Sequence, residues 1–139
     1  MTIWQISSWP PVSPRPGADD VSRGPRETRI AAIVTSGDPA TIEEMVAACS
    51  EAAHAGARVA VFFRDESIPA IRAETSPPQV VAALGRLAAS GDVHISACST
   101  SLYLWGVSGK ELIASIGGVR GLVAFLAEDV AGASSVLTY

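Results

Sequence analysis

From Arg29 onward the chain alternates short apolar runs with helical stretches, and this alternation constrains its fold more than any other feature. Ile30 to Thr35 is an apolar run of the kind a buried parallel strand uses. Ser36-Gly37-Asp38-Pro39 then turns the chain, with Asp38 placed as an N-cap and Pro39 at the first helical position. Ile42, Met45, Val46, Cys49 and Ala53 share one helical stripe, and Gly56 is placed to close that helix. Arg58 to Phe63 is a second strand. Pro78 to Ser90 is a second helix, with Val80, Val81, Leu84, Leu87 and Ala88 expected inward and Gly91 as its stop. Asp92 to Ala97 is a third strand, ending at Cys98.

A broken helical stretch follows. Ser99 is expected to cap a short helix running to Trp105, which Gly106 interrupts, and Ser108-Gly109-Lys110-Glu111 has capping-box spacing for a restart. Gly117-Gly118 reads as a turn before a last helix, with Val119, Leu122, Val123, Leu126 and Val130 on one stripe. Ser134 to Tyr139 closes as a strand. Repeated strand–helix units of this type imply an α/β fold, with a mainly parallel sheet and helices on both faces.

Residues 1–28 are different. Pro10, Pro11, Pro14, Pro16 and Pro25 crowd this stretch, and its charges cancel, so it reads as an extended or disordered extension ahead of a domain at 29–139. Trp4 and Trp9 are unusual there, and one use for them is docking on a neighbouring subunit.

With 48% hydrophobic and 17% charged residues, 139 residues make one globular domain with a core. A net charge of −4, with nine arginines and one lysine scattered along the chain, argues against nucleic acid as a partner. No run reaches the ~18 apolar residues of a membrane span, and no secretory-type apolar segment opens the chain, so a cytoplasmic location is expected. Two cysteines cannot build a disulfide framework, and with two histidines at no recurrent ligand spacing neither a metal nor another cofactor is expected.

Ligands of such folds gather beyond the carboxyl ends of the strands. Three strand ends qualify: Ser36 to Asp38, Arg64 to Glu66, and Cys98 to Ser101. Cys98 is the strongest nucleophile among them. A thiol between a strand end and a helix start faces unpaired N–H groups that favour a thiolate. Its neighbours Ser99, Thr100 and Ser101, together with Asp38, Arg64 and Trp105, are candidate pocket or thiolate-stabilising residues. The alternative is a small buried hydrophobe, the usual fate of a free cysteine. Cys49, mid-helix on an apolar stripe, reads as core. His94 shares a strand face with Cys98 but lies ~13 Å away along the strand, too far to be its base.

Four stretches stand out: Ile33-Val34-Thr35-Ser36-Gly37-Asp38-Pro39, Ala55 to Phe63, Val93 to Cys98 with Ser101 to Gly106 and Glu111-Leu112-Ile113, and Gly118 to Leu122 with Val136 to Tyr139. In their order and spacing they resemble the DsrE/DsrF-like family, which includes the TusD-type sulfur-relay proteins. The resemblance implies a three-layer α/β/α sandwich around a sheet of about five strands. It also implies a homo-oligomer, a trimer or hexamer, and a persulfide-carrying role for Cys98, with a TusA-like or rhodanese-like partner as sulfur donor or acceptor. Arg64-Asp65 departs from the apolar-aromatic sequence expected after the second strand. The competing expectation is a non-catalytic oligomeric protein whose strand-end pocket binds a small molecule or a partner. A peroxiredoxin-type enzyme fits poorly, because no Pro-Thr-rich context surrounds Cys98.

Overall fold

The computed structural model describes residues 28–139, and the proline-rich extension with Trp4 and Trp9 lies outside the described residues. The elements run β1 (Arg29–Val34), α1 (Pro39–His54), β2 (Arg58–Phe63), a 3-10 turn (Asp65–Ser67) leading into α2 (Ile68–Ile71), α3 (Pro78–Ala88), β3 (Val93–Cys98), α4 (Ser99–Trp105), a 3-10 turn (Gly109–Glu111), β4 (Gly118–Arg120), α5 (Leu122–Phe125), a π turn (Leu126–Val130) and β5 (Ser135–Thr138). All five strands are parallel, in the order β4-β3-β2-β1-β5.

That order explains the layering. The steps from β1 to β4 all move one way across the sheet, and right-handed crossovers therefore put α1, α2, α3 and α4 on the same face. The return from β4 to β5 runs the other way, so the same handedness carries Leu122–Val130 over the second face. The first face holds the main core: Ile42, Met45, Cys49, Leu84 and Leu87 pack on Val34, Val61, Phe63 and Ile95. On the second face Phe125 is the one fully buried residue to come down from its layer, joining Ala31, Ala60, Phe62 and Cys98, with Leu122, Val130 and Ala133 packed partly buried beside it.

Asp38 caps α1, its carboxylate accepting from the Thr41 N–H at 3.3 Å, and the buried stripe of α1 is the expected one. Gly37 is required by space, because a Cβ there would stand 2.7 Å from the Glu66 carbonyl oxygen. Gly106 ends α4 in the left-handed region, at φ 67°.

Three expectations need correction. In α3 the buried residues are Val80, Ala83, Leu84 and Leu87, whereas Val81 and Ala88 are exposed. Positions 81 and 88 lie one helical step, about 100°, off that stripe. Gly118–Arg120 is an edge strand rather than the end of a turn, its three residues too few to show a pattern of two. The last helix breaks into α5 and the π turn: Val119, Val123 and Leu126 are exposed, and Phe125 is its one buried anchor.

The capping box at Ser108 forms, but it opens a single 3-10 turn. Glu111 accepts from the Ser108 N–H at 2.8 Å and from Arg72 Nε and Nη2 at 3.1 and 2.8 Å, which ties this turn to the end of α2. The Ser108 backbone bond first, and Arg72 second, hold its carboxyl below the usual glutamate range. A carboxyl lowered by folding contributes stability above its ordinary value of about 4.3, and loses it as pH falls through the lowered one. Glu111→Gln should therefore be less stable than the parent at neutral pH, and the gap should shrink on acidification to about pH 3. Urea midpoints at both pH values check this; a gap that stays constant would rule the tie out.

Candidate functional site

In an α/β sheet, a crevice opens where adjacent strands send their chains to opposite faces. Here that point lies between β3 and β4. β3 leads into α4, whose Leu102 joins the first-face core, while β4 leads into α5, whose Phe125 lies on the second face. The carboxyl-terminal residues of these strands are Cys98 and Arg120, which are register partners. Partners in a parallel pair project to the same side, so both belong to the second face.

Cys98 occupies the N-cap position of α4, one residue earlier than expected, and Ser99 is the first helical residue. Its thiol makes no capping bond. It points instead into the cluster of Phe62 and Phe125 and is only 3% exposed. Phe125 is fully buried and stacks on Phe62, with ring centroids 4.5 Å apart and planes 14° from parallel. Arg120 lies over the ring of Phe125, its guanidinium carbon 5.5 Å from the ring centre. The guanidinium hydrogen-bonds to Asp129 and Glu128 and donates to the Ala124 carbonyl at 3.3 Å. Hydrogen bonding to Asp129 raises its pKa further, so it is a permanent cation. Arg120 thus fastens the segment that covers Cys98.

The other candidates gather elsewhere. Arg64, Ser101 and Trp105 converge on Asp65, which sits at the end of β2 with φ 55°, a left-handed conformation uncommon for a side chain. Its N–H donates to Ser101 Oγ at 3.0 Å, and its carbonyl accepts from Trp105 Nε1 at 2.8 Å. Arg64 Nε stands 3.2 Å from the Asp65 carboxylate without the alignment of a hydrogen bond, so the contact is an ion pair only. These three residues brace a strained turn. Trp105 is half-exposed and Tyr103 is 82% exposed, and neither joins the Cys98 cluster. The aromatic residues that share a cluster with Cys98 are Phe62 and Phe125. Ser99 and Thr100 are exposed in the first turn of α4. Asp38 follows β1, two strands from β3 and so about 10 Å across the sheet, with its carboxylate engaged by Thr41.

Cys49 is fully buried in the main core, and burial pushes its thiol up to about 11. His94 is bound to Asp92 at 2.8 Å and takes no part in the Cys98 cluster. Both cysteines are free thiols. Among the described residues no group of three or more His, Cys, Asp or Glu is placed to hold a metal ion. No described helix is long and apolar enough to cross a membrane.

Sequence reasoning passed over Arg120 and Phe125. Arg120 was hidden by the flanking Gly118 and Gly121, which read as a turn. Phe125 fell between the positions of an apolar stripe that does not form.

Comparison with known proteins gives a consistent result. The sequence model of the DsrE/DsrF-like family matches residues 28–132. No curated protein sequence matches the chain. A protein of unknown function from Methanobacterium thermoautotrophicum, MTH1491, superposes with a TM-score of 0.68 at 15% identity, over 81% of this chain and 100% of that one. The ychN protein from E. coli superposes with a TM-score of 0.66 at 20% identity, over 81% and 99% of the two chains. At these identities the likeness is one of fold.

Proposed function

The chain belongs to the DsrE/DsrF-like family, and from that premise we propose that it carries sulfane sulfur on Cys98. One observation carries the proposal: Cys98 ends β3 at the point where the chains leaving adjacent strands diverge, in register with Arg120. Cys49, sunk in the core with its thiol pushed up to about 11, is no competitor.

The chemistry is thiol exchange without net oxidation. The Cys98 thiol gives its proton to solvent, and the thiolate attacks the outer sulfur of a donor persulfide. A new S–S bond forms at Cys98 as the donor S–S bond breaks, and the donor leaves as a thiolate. An acceptor thiolate then attacks the outer sulfur on Cys98, takes it, and returns the Cys98 thiolate. Arg120 is the cation nearest in register, and lifting of the segment that carries Glu128 and Asp129 frees its guanidinium to stabilise both anions. The 3% exposure of Cys98 makes lifting of Leu122–Val130 a required step. The expected donor and acceptor are TusA-like or rhodanese-like proteins, and the reducing cytoplasm is the compartment that keeps Cys98 a thiol. Exposed Tyr103, Leu104 and Val123 support assembly into a homo-oligomer.

The burial of Cys98 also favours a second use of the fold, a non-catalytic member that binds a small molecule or partner. Intact mass after incubation with a persulfide donor separates the two. The parent and Cys49→Ser should each gain one sulfur, about 32 Da, and Cys98→Ser none. No gain on any form would leave Cys98 as packing and the binding protein as the answer.

A further inference from the structure

The second face of the sheet is divided along its strands. Its carboxyl-end half is sealed by Phe125, and its amino-end half opens into a cleft of about 500 Å³ that also reaches Ala88, Val93 and Ile95. Alternation along the strands brings Arg29 of β1, Arg58 of β2 and His94 of β3 onto this face, with Arg120 of β4 at the border. Arg29 and Arg58 are direct register partners. Like charges placed opposite one another on neighbouring strands destabilise a sheet, so packing alone does not account for the pair.

Three carboxylates stand near the three arginines, but they are unevenly shared. Glu128 and Asp129 are both taken by Arg120. Asp92 is shared, at 2.8 Å from His94 Nε2 and only 3.8 Å from Arg58 Nε. Among the described residues no carboxylate pairs with Arg29. Gly117 and Gly118 in the wall present bare backbone to an occupant.

We propose that this cleft binds a small molecule bearing an oxoanion, a phosphate or a carboxylate, gripped between Arg29 and Arg58. Guanidinium forks match both groups through paired N–H bonds, and His94 adds a further donor. The volume is that of a small-metabolite site. The site lies apart from Cys98 and does not require sulfur transfer.

Calorimetric titration of the full chain with inorganic phosphate and, separately, with succinate at fixed ionic strength tests the proposal and distinguishes the two sources. Saturable binding of one is expected, and Arg29→Gln and Arg58→Gln should each weaken it about tenfold or more. Gly132→Ala provides a charge-preserving test, because its Cβ would stand 2.7 Å from Arg29 Nη1 and displace the guanidinium. It should weaken binding severalfold, while Cys98→Ser should bind like the parent. No saturable binding of either anion, or arginine variants that bind unchanged, would overturn the site. Parent-like binding by Gly132→Ala would also overturn it, reducing the effect to net charge.

Discussion

Phe125→Ala should raise the rate at which Cys98 reacts with a thiol reagent by about 100-fold, with Cys49 still protected. Phe125 is the one fully buried side chain of the segment Leu122–Val130, and it stacks on Phe62 within the cluster that holds Cys98. Removing a buried phenylalanine costs about 3–5 kcal/mol when its surroundings cannot collapse. Here the segment is held by that ring and by Arg120, so the loss falls on local docking before it falls on the whole fold. Each 1.4 kcal/mol multiplies the open population about tenfold. Cys49 is an internal control, because its place in the main core exposes it only on global unfolding. Timed labelling with mass detection follows both thiols in one sample. If Cys98 labels no faster than in the parent, the segment does not gate it, and the sulfur-carrier proposal loses its route of access.

The same segment shows why the sequence was informative in one place and silent in another. α1 was legible because its stripe, Ile42 to Ala53, its cap Asp38 and its stop Gly56 all point to one helix of 16 residues. β2 and β3 were legible as apolar runs between turn signals. Cys98 at the end of β3 followed from its place before a run of hydroxyl residues. Which way its thiol turns did not follow. That depends on the return path from β4 to β5, and so on strand order, which no local pattern states. Arg64 and Ser101 were grouped with Cys98 by their place at strand ends, and Trp105 by its place in the helix that follows. The structure brings them together on Asp65, whose left-handed backbone has no local signal. Arg120 and the cleft depend on the register Cys98 with Arg120 and Arg29 with Arg58, contacts between residues far apart in the chain.

The two faces of one strand supply the complementary test. Phe62 and Phe63 are neighbours in β2 and both fully buried, but Phe62 faces the Cys98 cluster and Phe63 the main core. Phe63→Ala should destabilise the protein by about 3–5 kcal/mol, a large share of the 5–15 kcal/mol that holds a typical domain together. The cost falls on the whole fold, because α1 and α3 both pack onto the face that Phe63 helps to form. Urea unfolding should show a lower midpoint with an unchanged slope. Labelling of Cys49, which needs global unfolding, should speed up by the full loss of stability, and that of Cys98, already reached by local lifting, by less. Phe63→Leu keeps much of the volume and serves where the alanine variant does not fold; its shift should be smaller and in the same direction. A larger acceleration at Cys98 than at Cys49 in either variant would show that the two faces are not independent. Access to Cys98 would then be set by the main core rather than by the Phe125 segment alone.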